Sequence, residues 1–196
     1  MRYNMRVVNS IFRATGVGNI GWVCCLCLLY MSCQKFPEKI SIEGSTADSI
    51  GRFSMDLPGY LSPETEHKLN PVAKVQYCNY YRNMYFVLLD TAKSMNNNLS
   101  LQQYAAQHYE KLVKSLANPT KIDSSTTTIN NMPAIQIALA GDLGGSSLKE
   151  RIYYQLLFVE SHTHYYQLVY WGWDKNRDKF LSDIAVSMAS FKQLNQ

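Results

Sequence analysis

The chain is poor in charge, in histidine and, beyond its first 33 residues, in cysteine. Only 17% of its 196 residues are charged, against about a quarter in an average soluble domain. Arg2, Arg6 and Arg13 are the only charged residues among the first 32; without them 16 basic residues face 15 acidic ones, so +1 remains of the +4 carried by the whole chain. A near-neutral body without Lys/Arg clusters lacks the electrostatic footprint of a nucleic-acid binder. No serine sits in a Gly-x-Ser-x-Gly elbow, and the glycine-rich stretch Gly141–Ser147 lacks the lysine and following helix of a phosphate loop, so it reads as a hairpin turn. Cys78 is alone in the body, mid-strand and without an adjacent base, and has no partner for an intrachain disulfide if Cys33 is acylated. Aromatics are plentiful: 14 Tyr, 7 Phe and 3 Trp exclude a disordered chain, and the length fits one compact domain.

The leader has the three regions of a secretory signal: a charged start, a mostly apolar run of 12 residues from Ile20 to Met31, and the small residue Ser32 before Cys33. That run is well short of the roughly 20 residues that span a bilayer as a helix, and Gly16, Gly18 and Gly21 weaken a longer one. Leu28-Leu29-Tyr30-Met31-Ser32-Cys33 resembles a bacterial lipoprotein signal, departing from the common box at Tyr30. The resemblance implies cleavage before Cys33 and acylation of that cysteine. Two or more acyl chains hold a protein on a membrane stably. The expected organisation is therefore a signal peptide over 1–32, a lipidated N-terminus and tether over 33–50, and a folded domain over 51–196.

Along the body, Phe53, Met55 and Leu57 alternate with polar residues before Pro58-Gly59, which predicts a strand. Leu61 to Asn70 reads as a loop. Val72–Tyr80 and Met84–Ala92 predict a hairpin across Tyr81-Arg82-Asn83. Leu101, Tyr104, Ala105, His108, Leu112, Val113 and Leu116 recur at helical spacing behind a Ser100/Gln103 capping box, with Asn118-Pro119 as the stop. Four strands are expected next, over 121–129, 134–140, 148–160 and 164–171. The last two are apolar on both faces, and such strands need cover on both sides. A final amphipathic helix over 174–194 has Asp174 as its expected N-cap. The fold class is α+β.

Phe53-Ser54-Met55-Asp56-Leu57-Pro58, Asn131-Met132-Pro133-Ala134, Tyr165-Tyr166-Gln167-Leu168 and Ser190-Phe191, in this order over residues 50–194, resemble the PsbP-like superfamily, which includes photosystem PsbP, Ran-binding Mog and bacterial DcrB-type lipoproteins. The resemblance implies an antiparallel β-sheet with helices packed on both faces, an α/β/α sandwich. It implies binding or accessory roles and supplies no catalytic set.

Two candidate sites follow from the residues themselves. His162 and His164 would share one side of a strand, with Glu160, and could bind a metal; beside a tight turn the simpler expectation is two exposed polar residues. Trp171, Trp173, Tyr80 and Tyr81 could line a ligand or partner surface. No nucleophile, acid–base pair or metal set stands out, so the expectation is a protein that is not an enzyme and uses no cofactor. The functional reading is an envelope lipoprotein, bound to a bacterial membrane through Cys33 on the periplasmic face of the outer membrane, with a domain that binds an envelope protein. The alternative is a carrier of a small hydrophobic ligand or glycan.

Overall fold

A computed structural model describes residues 38–46, 52–73, 75–96, 99–143 and 150–194, all of them within a unit spanning 37–196. The leader, Cys33 and the 144–149 part of the glycine-rich turn lie outside the described residues. Among the described residues ten strands run in chain order: β1 Lys39–Ser45, β2 Arg52–Pro58, β3 Ser62–Pro63, β4 Val75–Asn79, β5 Met84–Ala92, β6 Leu116–Ile129, β7 Met132–Leu143, β8 Arg151–Glu160, β9 His164–Trp173 and β10 Lys192–Leu194. Among the described residues two α-helices accompany them, α1 Leu101–Lys114 and α2 Leu181–Ser190.

The strands form two antiparallel sheets, one ordered β1-β2-β10 and one ordered β3-β4-β5-β9-β8-β7-β6. The larger sheet is apolar on both faces and is covered on both. One face packs Phe86, Leu168, Tyr170 and Leu157 against Phe53, Met55 and Leu57 of β2 and against Ile184, Met188 and Phe191 in and after α2. The other packs Val87, Leu156, Phe158 and Val169 against Leu101, Tyr104 and Ala105 of α1. The cover on the first face is thus a small sheet plus a helix, where helices alone were expected.

Three further expectations change. Residues 39–45, expected to belong to the tether, form a strand: β1 pairs with β2 from Lys39↔Pro58 to Ser45↔Arg52. Its half-buried Ile40 and Ile42 pack on the core, and Lys39 and Ser41 both bond the Asp56 carboxylate, each at 2.6 Å. Asn118-Pro119 does not stop α1. The helix ends at Lys114 with Ser115 as its cap, and Asn118, at φ 46°, sits in the first irregularity of β6, between Ala117 and Thr120. The final helix is broken: Asp174–Lys179 is a 3-10 turn, α2 starts after Phe180 without a side-chain cap, and the chain returns to a strand after Phe191. Asp174 caps nothing; it lies 3.7 Å from Arg151 and 3.5 Å from Arg177 as an ion-pair partner of both.

Candidate functional site

The residue pairing of the large sheet builds an aromatic row. Trp171 lies between Tyr85 of β5 and Tyr154 of β8 as their cross-strand partner. Tyr85 and Trp171 stack at 5.4 Å with 15° between planes, Tyr154 and Trp171 at 6.4 Å with 21°, and Tyr80 meets Tyr85 edge-on at 5.9 Å. Such pairs add roughly 0.5–1.5 kcal/mol each beyond the area they bury. Tyr85, Tyr154 and Trp171 are nonetheless only half-buried. They stand on the α1 face, where the helix packs mainly over the β6–β7–β8 side, Tyr104 reaches Tyr165 of β9 and Thr91 of β5, and Leu69 and Ala73 pack on the same face.

The uncovered strip is a groove of about 510 Å³ walled by Val87, Leu89, Val169, Gln167, Trp171 and Tyr154 from the sheet and by His108, Lys111 and Leu112 from α1, with Leu69 and Asn70 closing it. His108 packs against Tyr104 at 4.4 Å, and burial, then the Lys111 cation, holds its imidazole below the usual histidine range. The groove is therefore largely apolar and aromatic, with the Asn70 and Gln167 amides, the His108 imidazole and the Lys111 ammonium as its polar groups.

The Tyr80 end of the row is set by one carboxylate. Oε1 of Glu64 accepts the backbone N–H groups of Glu66 at 2.8 Å and His67 at 2.7 Å, while Oε2 accepts from the Cys78 thiol at 3.2 Å and from the Tyr80 hydroxyl. The His67 N–H, then Tyr80, holds the Glu64 carboxyl down at about 2, and burial, then Glu64, pushes the Cys78 thiol up to about 11. Cys78 does have a charged neighbour, contrary to expectation, but one that keeps the thiol protonated and unreactive.

The four aromatic residues singled out from the sequence lie at one end of the large sheet. Met84 pairs with Gly172, so the Tyr80–Asn83 turn stands beside the end of β9 that carries Trp171 and Trp173. They do not form one surface patch. Trp171 lies in the stacked row, Trp173 is covered by the Lys175 ammonium at 3.8 Å beside a 390 Å³ hollow with Glu150, Arg151 and Asp174, and Tyr81 stands free in solvent. The two histidines part company. His162 is exposed in the β8–β9 turn; His164, expected to be exposed, is 1% exposed in β9 with its Nδ1 2.8 Å from the Thr163 hydroxyl, and Glu160 pairs with Lys93 at 2.6 Å. Among the described residues no three His, Cys, Asp or Glu side chains gather as a metal site. His108, Lys111, Asn70 and Gln167 were missed. Each is ordinary in its own segment, and only strand register and helix placement bring them together.

No family model and no curated protein matches the chain. Solved structures do. Cyanobacterial PsbP (CyanoP) from Synechocystis sp. PCC 6803 is similar with a TM-score of 0.54 at 9% identity, over 83% of this chain and 98% of that one. LpqN, involved in cell envelope biogenesis of Mycobacterium tuberculosis, gives 0.57 at 12%, over 81% and 93%. The Saccharomyces cerevisiae Ran-binding protein Mog1p gives 0.53 at 8%, over 79% and 95%. At this identity the likeness defines the fold, which is the PsbP-like fold that the motifs from Phe53 to Phe191 imply.

Proposed function

We propose that the chain is a lipid-anchored protein of the bacterial cell envelope whose folded domain is a non-catalytic binding module, meeting an envelope protein along its open aromatic face. The observation that carries the reading is the half-exposed Tyr85–Trp171–Tyr154 row beside the groove. Partly buried, rigidly stacked aromatics offer a large contact area at little entropic cost, which is how binding hot spots are built. No carboxylate or thiol is among the residues that line that groove. Two of the similar proteins point the same way: one is Ran-binding and one is involved in cell envelope biogenesis.

Acylated Cys33 would hold the protein on the periplasmic face of the outer membrane. Incorporation of an alkyne fatty acid that disappears in Cys33→Ala is the expected result; incorporation that survives the substitution rejects the assignment. For the binding face, a photo-crosslinking residue placed at Tyr154 in the envelope should give one discrete protein adduct, lost in Trp171→Ala. A carrier is the second reading, favoured by a groove volume within the roughly 300–1,000 Å³ typical of ligand pockets. It predicts a small molecule co-purifying with the wild type, seen by mass spectrometry after organic extraction, and no protein adduct.

A further inference from the structure

The fold ties its point of chain entry to the tip of the first hairpin. Glu38 is the first described residue, and its carbonyl accepts the Gly59 N–H at 3.1 Å. The next residue, Tyr60, is bound from the hairpin: its carbonyl accepts the Asn79 side-chain amide at 2.7 Å, and its ring lies 4.4 Å beneath the Arg82 guanidinium. Only Gln34, Lys35, Phe36 and Pro37 separate Cys33 from Glu38. Fully extended, that span reaches at most about 17 Å, whereas a strand the length of β5, nine residues, runs for about 30 Å. An anchor at Cys33 therefore keeps this end of the domain beside the bilayer and leaves the His162-Thr163 turn at the far end.

The same end carries exposed aromatic and apolar side chains. Tyr81 is wholly exposed and Tyr80 half-exposed. Leu143, at the end of β7, and Leu181, next to the Phe180 ring that touches Tyr60, are also exposed. Tyr81 contributes nothing to the core, so its place in the fold offers no reason for an aromatic there. Tyrosine has an apolar body and a polar tip, and it concentrates at the headgroup level of membranes; Arg82, the next residue, adds a cation for anionic headgroups.

We propose that the end of the domain carrying Tyr80, Tyr81 and Arg82 lies against the lipid surface to which Cys33 is attached, with the Tyr81 ring seated among the headgroups. The proposal rests on the anchoring reading above. It leaves the Trp171 groove, on the flank of the sheet, open to its partner.

The test uses the anchored protein purified from membranes and placed in phosphatidylethanolamine/phosphatidylglycerol vesicles with brominated acyl chains. A bimane label is attached in Tyr81→Cys or, separately, in Thr163→Cys; the buried, protonated Cys78 stays unlabelled, as the parent protein verifies. Both positions are exposed, so circular dichroism should show an unchanged fold. The expected result is quenching several times stronger at position 81 than at position 163. Equal quenching, or none at position 81, overturns the proposal and leaves the tip free for a protein contact. Alkyne fatty acid labelling of the same preparation separates the two failures: no acylation overturns anchoring and docking together, whereas acylation without quenching at position 81 overturns docking alone.

Discussion

Glu64 fixes the geometry at the start of the aromatic row, because one carboxylate serves two backbone N–H groups, a thiol and a phenol. A carboxyl held at about 2 against an ordinary 4.5 contributes stability that is complete above about pH 4.5 and is lost as pH falls through that window. Denaturation followed from pH 7 to pH 2 should therefore show a decline below pH 4.5, shallower in Glu64→Gln, which should also be the less stable protein at pH 7. The Asp56 carboxyl is also lowered, by its hydrogen bonds from Lys39 and Ser41, and adds to the loss of stability in acid, so the comparison with the variant isolates the Glu64 share. Glu64 adds to what burial does at Cys78. With the thiol held at about 11, Ellman's reagent at pH 8 should leave the native protein unmodified, react on unfolding, and react faster with native Glu64→Gln than with the native wild type. Rapid reaction of the native thiol would show that the Glu64 contact does not form.

At the level of elements, one hydroxyl joins three of them. Ser187 of α2 lies 2.5 Å from the hydroxyl of the fully buried Tyr170 of β9, and it donates to the carbonyl of Asp56 in β2. Ser187→Ala leaves a buried phenol without that partner, a cost of about 1–3 kcal/mol, to be read as a shift in the urea midpoint at unchanged slope. The hairpin tip has an equivalent contact. A Cβ on Gly172 would lie 2.5 Å from the Asn83 carbonyl oxygen, backbone that cannot turn aside, so Gly172→Ala should displace the Tyr80–Asn83 turn and cost about 1–3 kcal/mol. Elements of this kind were legible where local chemistry decides. The alternation of Phe53, Met55 and Leu57 marks β2, and the Ser100/Gln103 box caps α1 with both of its hydrogen bonds in place. Local pattern misled where pairing decides. Phe191 keeps the helical spacing of Ile184 and Met188, yet it is extended, packed on Tyr166 and Phe53, because β10 pairs with β2. The groove was illegible for a geometric reason. A helix about 10 Å across cannot cover seven strands spaced about 4.8 Å apart, but which strip stays open depends on where the helix lands.

For the molecule as a whole, the decisive segment is the one whose polar composition concealed a strand. β1 pairs with all seven residues of β2, whereas β10 reaches only Arg52 to Ser54. Without β1, the Met55–Pro58 half of β2 has no neighbouring strand, and beyond the packing of Met55 and Leu57 it is held by the Asp56 backbone bonds to Ser187 and Ser190. Ile40 and Ile42 are half-buried on the same core, so their loss costs about 2–3 kcal/mol in burial alone. In a domain of this size each kcal/mol lowers the melting temperature by about 2–4 °C. A chain beginning at Gly51, the boundary that composition suggests, should thus melt about 4–12 °C below one beginning at Pro37, with Asp56 stripped of Lys39 and Ser41. Equal melting temperatures would show that β1 is an ornament on a self-sufficient domain. The expected drop would instead make the strand the joint through which the pull of a membrane anchor reaches the core, since any force on Cys33 meets β1 first and passes through the β1–β2 ladder to Phe53, Met55 and Leu57.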